Sequence, residues 1–201
     1  MRGLVSCSII VFLAGCPVDG TVMNQGSDPD ALVGTWREVP PAFVSKQPDM
    51  LTIKADRSYV LEKTTGAEVG TYEADELTVT IRSRIGTVQH STTQNYVLDH
   101  DQLLIGALLP EGETDGVVGT WHGDASLDLA VVATDLDVRA DGTLHHARDS
   151  SADGHEAADG TWRLEAGDFV ERRMVGTQLT DFHWKSISNR ALGNPMFVRV
   201  R

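Results

Sequence analysis

Residues 51–62 read LTIKADRSYVLE, and residues 136–147 read LDVRADGTLHHA, eighty-five positions further on. The two stretches align without a gap. Leu51, Ile53 and Ala55 fall on Leu136, Val138 and Ala140, while Lys54 meets Arg139 and Asp56 meets Asp141. In both, apolar residues at every second position flank a polar turn, ADRS or ADGT. A period of two sends alternate side chains to opposite faces of a strand. The turn between the two runs then reads as a hairpin, and Gly142 supplies the positive φ that such a turn takes.

Outward from this pair, the same offset lays LVGTW (32–36) on VVGTW (117–121). Beyond it, GTYEADELTVT (70–80) falls on GTWRLEAGDFVE (160–171) after five inserted residues in the second stretch. The ends, NYVLDHDQLLIG and GNPMFVRVR, correspond only loosely. Self-similarity of this extent is the mark of an internal duplication. Leu77, Val79 and Ile81 alternate with Thr78, Thr80 and Arg82, and Leu127, Leu129 and Val131 with Asp128, Ala130 and Val132. No window carries a capped amphipathic helix. The chain is therefore expected to be all-β, each copy a meander of about six or seven short antiparallel strands. The copies span residues 32–109 and 117–201, joined by an acidic linker at 110–116 (PEGETDG). Two tandem small barrels or sandwiches are the favoured architecture, and one larger barrel pooling both sets of strands is the alternative.

The N-terminus has a different character. Met1-Arg2 precedes an apolar run, GLVSCSIIVFLA, that ends at Leu13-Ala14-Gly15-Cys16. The run is too short to span a bilayer but suits the apolar region of a signal peptide. LAGC, placed directly after it, resembles a bacterial lipobox. That resemblance implies removal of residues 1–15 and attachment of lipid to Cys16. Cys7 would leave with the signal peptide, so the mature chain could form no internal disulfide and no cysteine metal site. Residues 16–31, rich in Pro, Gly, Asp and Asn, read as a flexible lipidated tether. The expected location is the bacterial cell envelope. By resemblance to lipoprotein sorting signals, Pro17-Val18 after the cysteine favours the outer membrane. The 201 residues carry 17 Lys and Arg against 29 Asp and Glu, a net charge of −12. Such a surface disfavours nucleic acid as a partner and leaves the N-terminal lipid as the expected membrane contact.

Gly34-Thr35-Trp36 with Gly70-Thr71-Tyr72, and Gly119-Thr120-Trp121 with Gly160-Thr161-Trp162, resemble the strand-opening motifs of small lipocalin-like domains in bacterial lipoproteins. The resemblance implies a β-barrel whose Trp closes one end, with glycine letting the chain approach the barrel floor. It makes Trp36 and Trp121 candidate ligand contacts. His146 joins them, because it falls on Leu61 in the repeat and so on the apolar face. An inward histidine either meets a ligand or ion or is a core residue bonded to a backbone carbonyl. His145, its neighbour, faces the other way, so the two cannot chelate one metal together.

Enzymatic motifs are sparse. There is no GxSxG, P-loop or GxGxxG, and His155-Glu156 lacks the second histidine of HExxH. Asp149-x-Ser151-x-Asp153-Gly154 has the alternating oxygens and glycine turn of a calcium loop, with Asp159 as a further candidate ligand. Gly160 stands where the bidentate acid belongs; otherwise the segment is a solvated hairpin tip. The expectation is a non-enzymatic envelope lipoprotein with no cofactor, binding a small apolar ligand or an envelope protein. A purely structural or interaction module with filled barrels is one alternative, and an enzyme with a His/Asp site in the second copy is another.

Overall fold

The structure, a computed structural model, describes residues 28–40, 47–85, 87–128, 130–187 and 190–201. The signal segment, Cys16 and the tether through residue 27 lie outside them. The described chain opens on a 3-10 turn, η1 (Pro29–Leu32), whose first amide bonds the Asp28 side chain. Strands β1 (Gly34–Glu38), β2 (Met50–Ile53), β3 (Ser58–Lys63), β4 (Gly66–Ala74), β5 (Thr78–Ile85), β6 (Val88–Asp99), β7 (Gln102–Ile105) and β8 (Leu109–Pro110) follow. The second half adds β9 (Gly119–Leu127), β10 (Ala130–Val138), β11 (Thr143–Ser150), β12 (Gly154–Glu165), β13 (Asp168–Val175), β14 (Gln178–Ile187), β15 (Ala191–Gly193) and β16 (Met196–Arg199).

The matched sequences build matched bonds. In the β2–β3 turn the Asp56 carboxylate accepts from the Ser58 amide and hydroxyl, at 3.0 and 2.6 Å. In the β10–β11 turn Asp141 does the same for Thr143, at 2.9 and 2.6 Å. Arg57 and Gly142 hold equivalent positive-φ places, at 65° and 86°; glycine adopts this conformation without the steric cost that arginine bears. Tyr72 donates its hydroxyl to Lys54 O, and Trp162 its indole to Arg139 O. Gly70 and Gly160 sit where the carbonyls of Arg82 and Arg172 on the next strand pass through the space a Cβ would fill.

Strands β1 to β6 pair in sequence, β6 pairs β7, and the C-terminal β16 lies between β7 and β1. The result is a closed antiparallel barrel of eight strands. The sheet also runs on beyond this ring, because β6 pairs β9 as well. Its interior holds Trp36, Leu51, Tyr59, Tyr72, Tyr96, Leu103 and Phe197.

Strands β9 to β15 form a second antiparallel meander. Here β8 pairs β9, placing Pro110 opposite Trp121, and Leu108, just before β8, exchanges backbone bonds of 2.6 and 3.0 Å with Leu192 in β15. Thus β8 pairs β9, and Leu108 just before it bridges to β15, whereas β16 pairs both β1 and β7. The register agrees as well: Phe197 faces Leu103 as Leu108 faces Leu192, and Arg199 faces Trp36 as Pro110 faces Trp121. Each half of the chain places its eighth strand in the other half's sheet. A second cluster, with Trp121, Leu136, Leu144, Phe169 and Leu192, fills the second meander and includes Leu108 from the first half. Val97, Leu104, Ala107, Ile187 and Ala191 pack a third cluster where the two sets of strands meet.

Three details differ from the sequence reading. Among the described residues each half carries eight strands, more than the alternation alone suggests. Pro110, assigned to the linker, ends β8. Leu127–Val132 is not one strand: the chain turns between β9 and β10, with Asp128 at φ 54°. The reason lies on the neighbouring β6, which pairs with Ala125–Leu127, while the Asp128 carboxylate accepts the Ser91 amide at 2.8 Å.

Candidate functional site

Along β13 the residues Phe169, Glu171 and Arg173 share one face, because strand side chains alternate. Phe169 belongs to the second apolar cluster, so this is the inward face, and it carries two charges. Glu171 is 0% exposed and His146, reaching in from β11, is 5% exposed. His146 Nδ1 lies 2.8 Å and Arg173 Nε 2.6 Å from Glu171 Oε1. Neither approach has the alignment of a hydrogen bond; Trp184 supplies an aligned donor, its indole N–H 3.0 Å from Oε2. Arg173 also reaches Glu156 at 3.3 Å and stacks over Phe182, with its guanidinium carbon 4.5 Å from the ring centre. A buried carboxylate is tolerated only when paired, and removing one partner of such a group is costly.

The corresponding place in the first barrel is arranged differently: Ser83 stands at the position of Arg173, and Glu68, opposite Leu61, accepts from the Tyr59 hydroxyl and from Lys63, both at 2.8 Å. Leu61 stands at the place of His146, and Ile81 faces inward from β5. The charged cluster is therefore peculiar to the second meander. An imidazole set by a carboxylate is the base-and-orienter half of an acid–base site. With His146 this buried, a substrate reaches its ring only if the strands around it part.

Trp36 and Trp121 are both 0% exposed. Each donates its indole N–H to the carbonyl four residues earlier, Leu32 at 2.8 Å and Val117 at 2.9 Å. Arg199 stacks 4.2 Å over the Trp36 ring and donates to Val33 O. Both tryptophans are buried core residues with their indole N–H groups satisfied. Beside Trp36 the barrel retains a cavity of about 20 Å³ among Leu32, Leu51, Tyr59, Tyr72 and Tyr96, the space of about one water molecule.

The calcium candidates do not converge. Asp149 and Ser151 flank the end of β11, Asp153 is in the turn, and Asp159 lies well along β12, opposite His145. Asp149 pairs with His155 at 2.7 Å and Asp159 with His145 at 2.9 Å. The segment is a tight hairpin and not a long ligand loop, because strand pairing resumes at Gly154. Among the described residues, no group of three or more His, Cys, Asp or Glu is arranged to hold a metal ion. On the outer face, His122 bridges Asp135 at 2.6 Å and Asp124 at 3.2 Å. Its hydrogen bond to Asp135 is the main cause of a raised imidazole pKa.

Sequence reasoning placed His146 inside but missed Glu171, Arg173 and Trp184. The signal was present in FVER (169–172), where Phe169 inward forces Glu171 inward. A charged pair on a strand reads by default as surface, and that default concealed the site. Compared with protein-family models, curated proteins and solved structures, the chain shows no match.

Proposed function

We propose that the chain is a non-enzymatic envelope lipoprotein, anchored through Cys16, whose two lipocalin-like barrels act on a protein partner through their outer surfaces. The observation that carries this reading is the filled first barrel. Its floor is sealed by Trp36, and its residual cavity of about 20 Å³ has no room for an apolar ligand. Matched bonds in the two halves support the tandem lipocalin-like reading. Exposed Val69, Val131, Leu164 and Leu179 offer the outer surface apolar contacts.

The test is native mass spectrometry of the anchored chain extracted from its envelope, paired with cross-linking in intact cells. The expected result is a protein adduct of defined mass and no bound small molecule. A stoichiometric small apolar molecule, or no adduct under saturating cross-linker, would overturn it. The lipid anchor is tested separately: Cys16→Ser should lose the acyl mass and leave the membrane fraction.

A further inference from the structure

The first barrel is closed by a strand from the other half. Met196–Arg199 fills the gap between β1 and β7, with Phe197 opposite Leu103 and Arg199 stacked over Trp36. In return, Leu109 and Pro110 pair with His122 and Trp121, and Leu108 bridges to Leu192. Other contacts cross the same boundary. Thr92–Gln94 of β6 pair with β9, Asp128 holds His90 and the Ser91 amide, and Arg190 lies 3.4 Å from Asp99. Each half therefore depends on strands that reach it from the other, and a second copy of the chain offers the same strands.

The covalent connection between the halves is one exposed turn. Glu111 donates its amide to Thr120 O at 2.8 Å, and Asp115 and Val118 exchange backbone bonds of 2.9 and 3.0 Å. Gly112 and Gly116 both have positive φ, and nothing lies within 4 Å of where a Cβ would stand on either. Glu111, Glu113 and Asp115 repel one another in the folded-back turn, and less once it straightens. The other candidate hinge, between β15 and β16, is poorer. Two residues separate those strands, and a Cβ on Gly193 would lie 2.9 Å from Gly106 O. Leu192 and Gly193 are thus held against the first half, so the unit that moves is the whole second half.

We infer that the chain forms a domain-swapped dimer with a second copy, each first half closing on the partner's second half. Residues 111–116 straighten to serve as the hinge. Each lobe then repeats the cross-half contacts of one monomer, so the two forms differ in the turn bonds and in the entropy of association. Six extended residues span about 20 Å, well beyond the screening length of about 8 Å at physiological salt. The net charge of −12 on each chain therefore does not prevent the two lobes from sharing their linkers. This self-association is separate from the outer-surface contact proposed above.

The test uses two variants of the mature chain, both carrying Cys16→Ser so that no other thiol is present. One adds Gln102→Cys and the other Val198→Cys, at positions that are cross-strand partners between β7 and β16; a disulfide spans such a pair. The two are mixed, unfolded in urea, refolded together and oxidised. The swap predicts a mixed disulfide as the main covalent species, far above either same-variant species. Mixed and same-variant species in the ratio of random collision, or no covalent species, would overturn it. Light scattering of the unmodified chain should give twice the monomer mass as concentration rises; a chain that stays monomeric to its solubility limit rejects the swap. So does a dimer that yields no mixed disulfide, which would place the association on an outer surface. Deleting Gly112–Gly116 leaves three residues to reverse the chain, one of them Val117, buried with its carbonyl on the Trp121 indole. That variant should dimerise at a concentration at least about tenfold lower, and a monomer with unchanged melting temperature would contradict the hinge. The disulfide pair needs no linker change and decides the matter if the deletion fails to fold.

Discussion

Replacing Phe197 with alanine separates the exchanged arrangement from a simple end-to-end one. Phe197 is near the C-terminus, yet it is 3% exposed in the cluster around Trp36, opposite Leu103. Truncating a buried phenylalanine costs about 3–5 kcal/mol. For a chain of this length each kcal/mol lowers the melting temperature by roughly 2–4 °C, so the expected fall is about 6–20 °C. Hydrogen exchange at the tryptophan indoles gives the location of the damage. Trp36 Nε1–H, bonded to Leu32 O, should exchange faster in the variant, while Trp121 Nε1–H, bonded to Val117 O, serves as the internal reference. Leu108→Ala is the mirror experiment, costing about 2–5 kcal/mol. It lies in the first half but should loosen Trp121, whose cluster it joins. If Phe197→Ala instead frees Trp121, or Leu108→Ala frees Trp36, the eighth strands are not exchanged and the register is wrong.

Further outcomes follow from the charged groups. Glu171→Gln should cost about 3 kcal/mol in urea unfolding, because the buried Arg173 loses its nearer carboxylate and keeps only the half-exposed Glu156. Replacing the cluster together, with His146→Leu, Glu171→Ile and Arg173→Ser after the first-barrel pattern, should be much less harmful than the single change, a non-additivity that comparing the single and combined variants measures. His122 has its pKa raised by Asp135, so its pairing stabilises the fold fully below the unfolded histidine value of about 6.5 and ceases to do so as pH rises through the higher folded value. Asp135→Asn should therefore flatten the loss of melting temperature over that range; an unchanged slope rejects the assignment. Asp181 is held well below the usual carboxylate range by Arg172 and then Arg163. Its contribution is present above pH about 3.8 and fades as pH falls through the depressed value, so Arg172→Ala should lessen the acid-range loss of stability measured by urea midpoints.

What the sequence discloses is what local chemistry specifies. The ADRS and ADGT turns were legible because Asp56 and Asp141 bond residues two places away. Trp36 and Trp121 were legible as plugs because a large ring after a strand-opening glycine has few other uses. The exchange of eighth strands was not legible, because nothing local distinguishes a strand that closes its own sheet from one that closes its neighbour's. Phe197 and Leu108 hold equivalent places, but only the pairing reveals it. The β9–β10 turn was hidden for a similar reason: Leu127–Val132 alternates well enough, and the bonds that bend it come from Ser91 and the β6 edge. The interior charges of Glu171 and Arg173 were hidden because burial of a charge depends on partners that arrive from β11 and β14.

The placement of β16 has a consequence in time. A chain made from its N-terminus delivers β1 to β7 first, yet their ring lacks a member until Met196–Arg199 arrive. Until then β1 and β7 present bare edges, and Trp36 lacks the arginine that lies over it. The ring of β1 to β7 thus waits, residue for residue, on a segment nearly a hundred positions further along the chain.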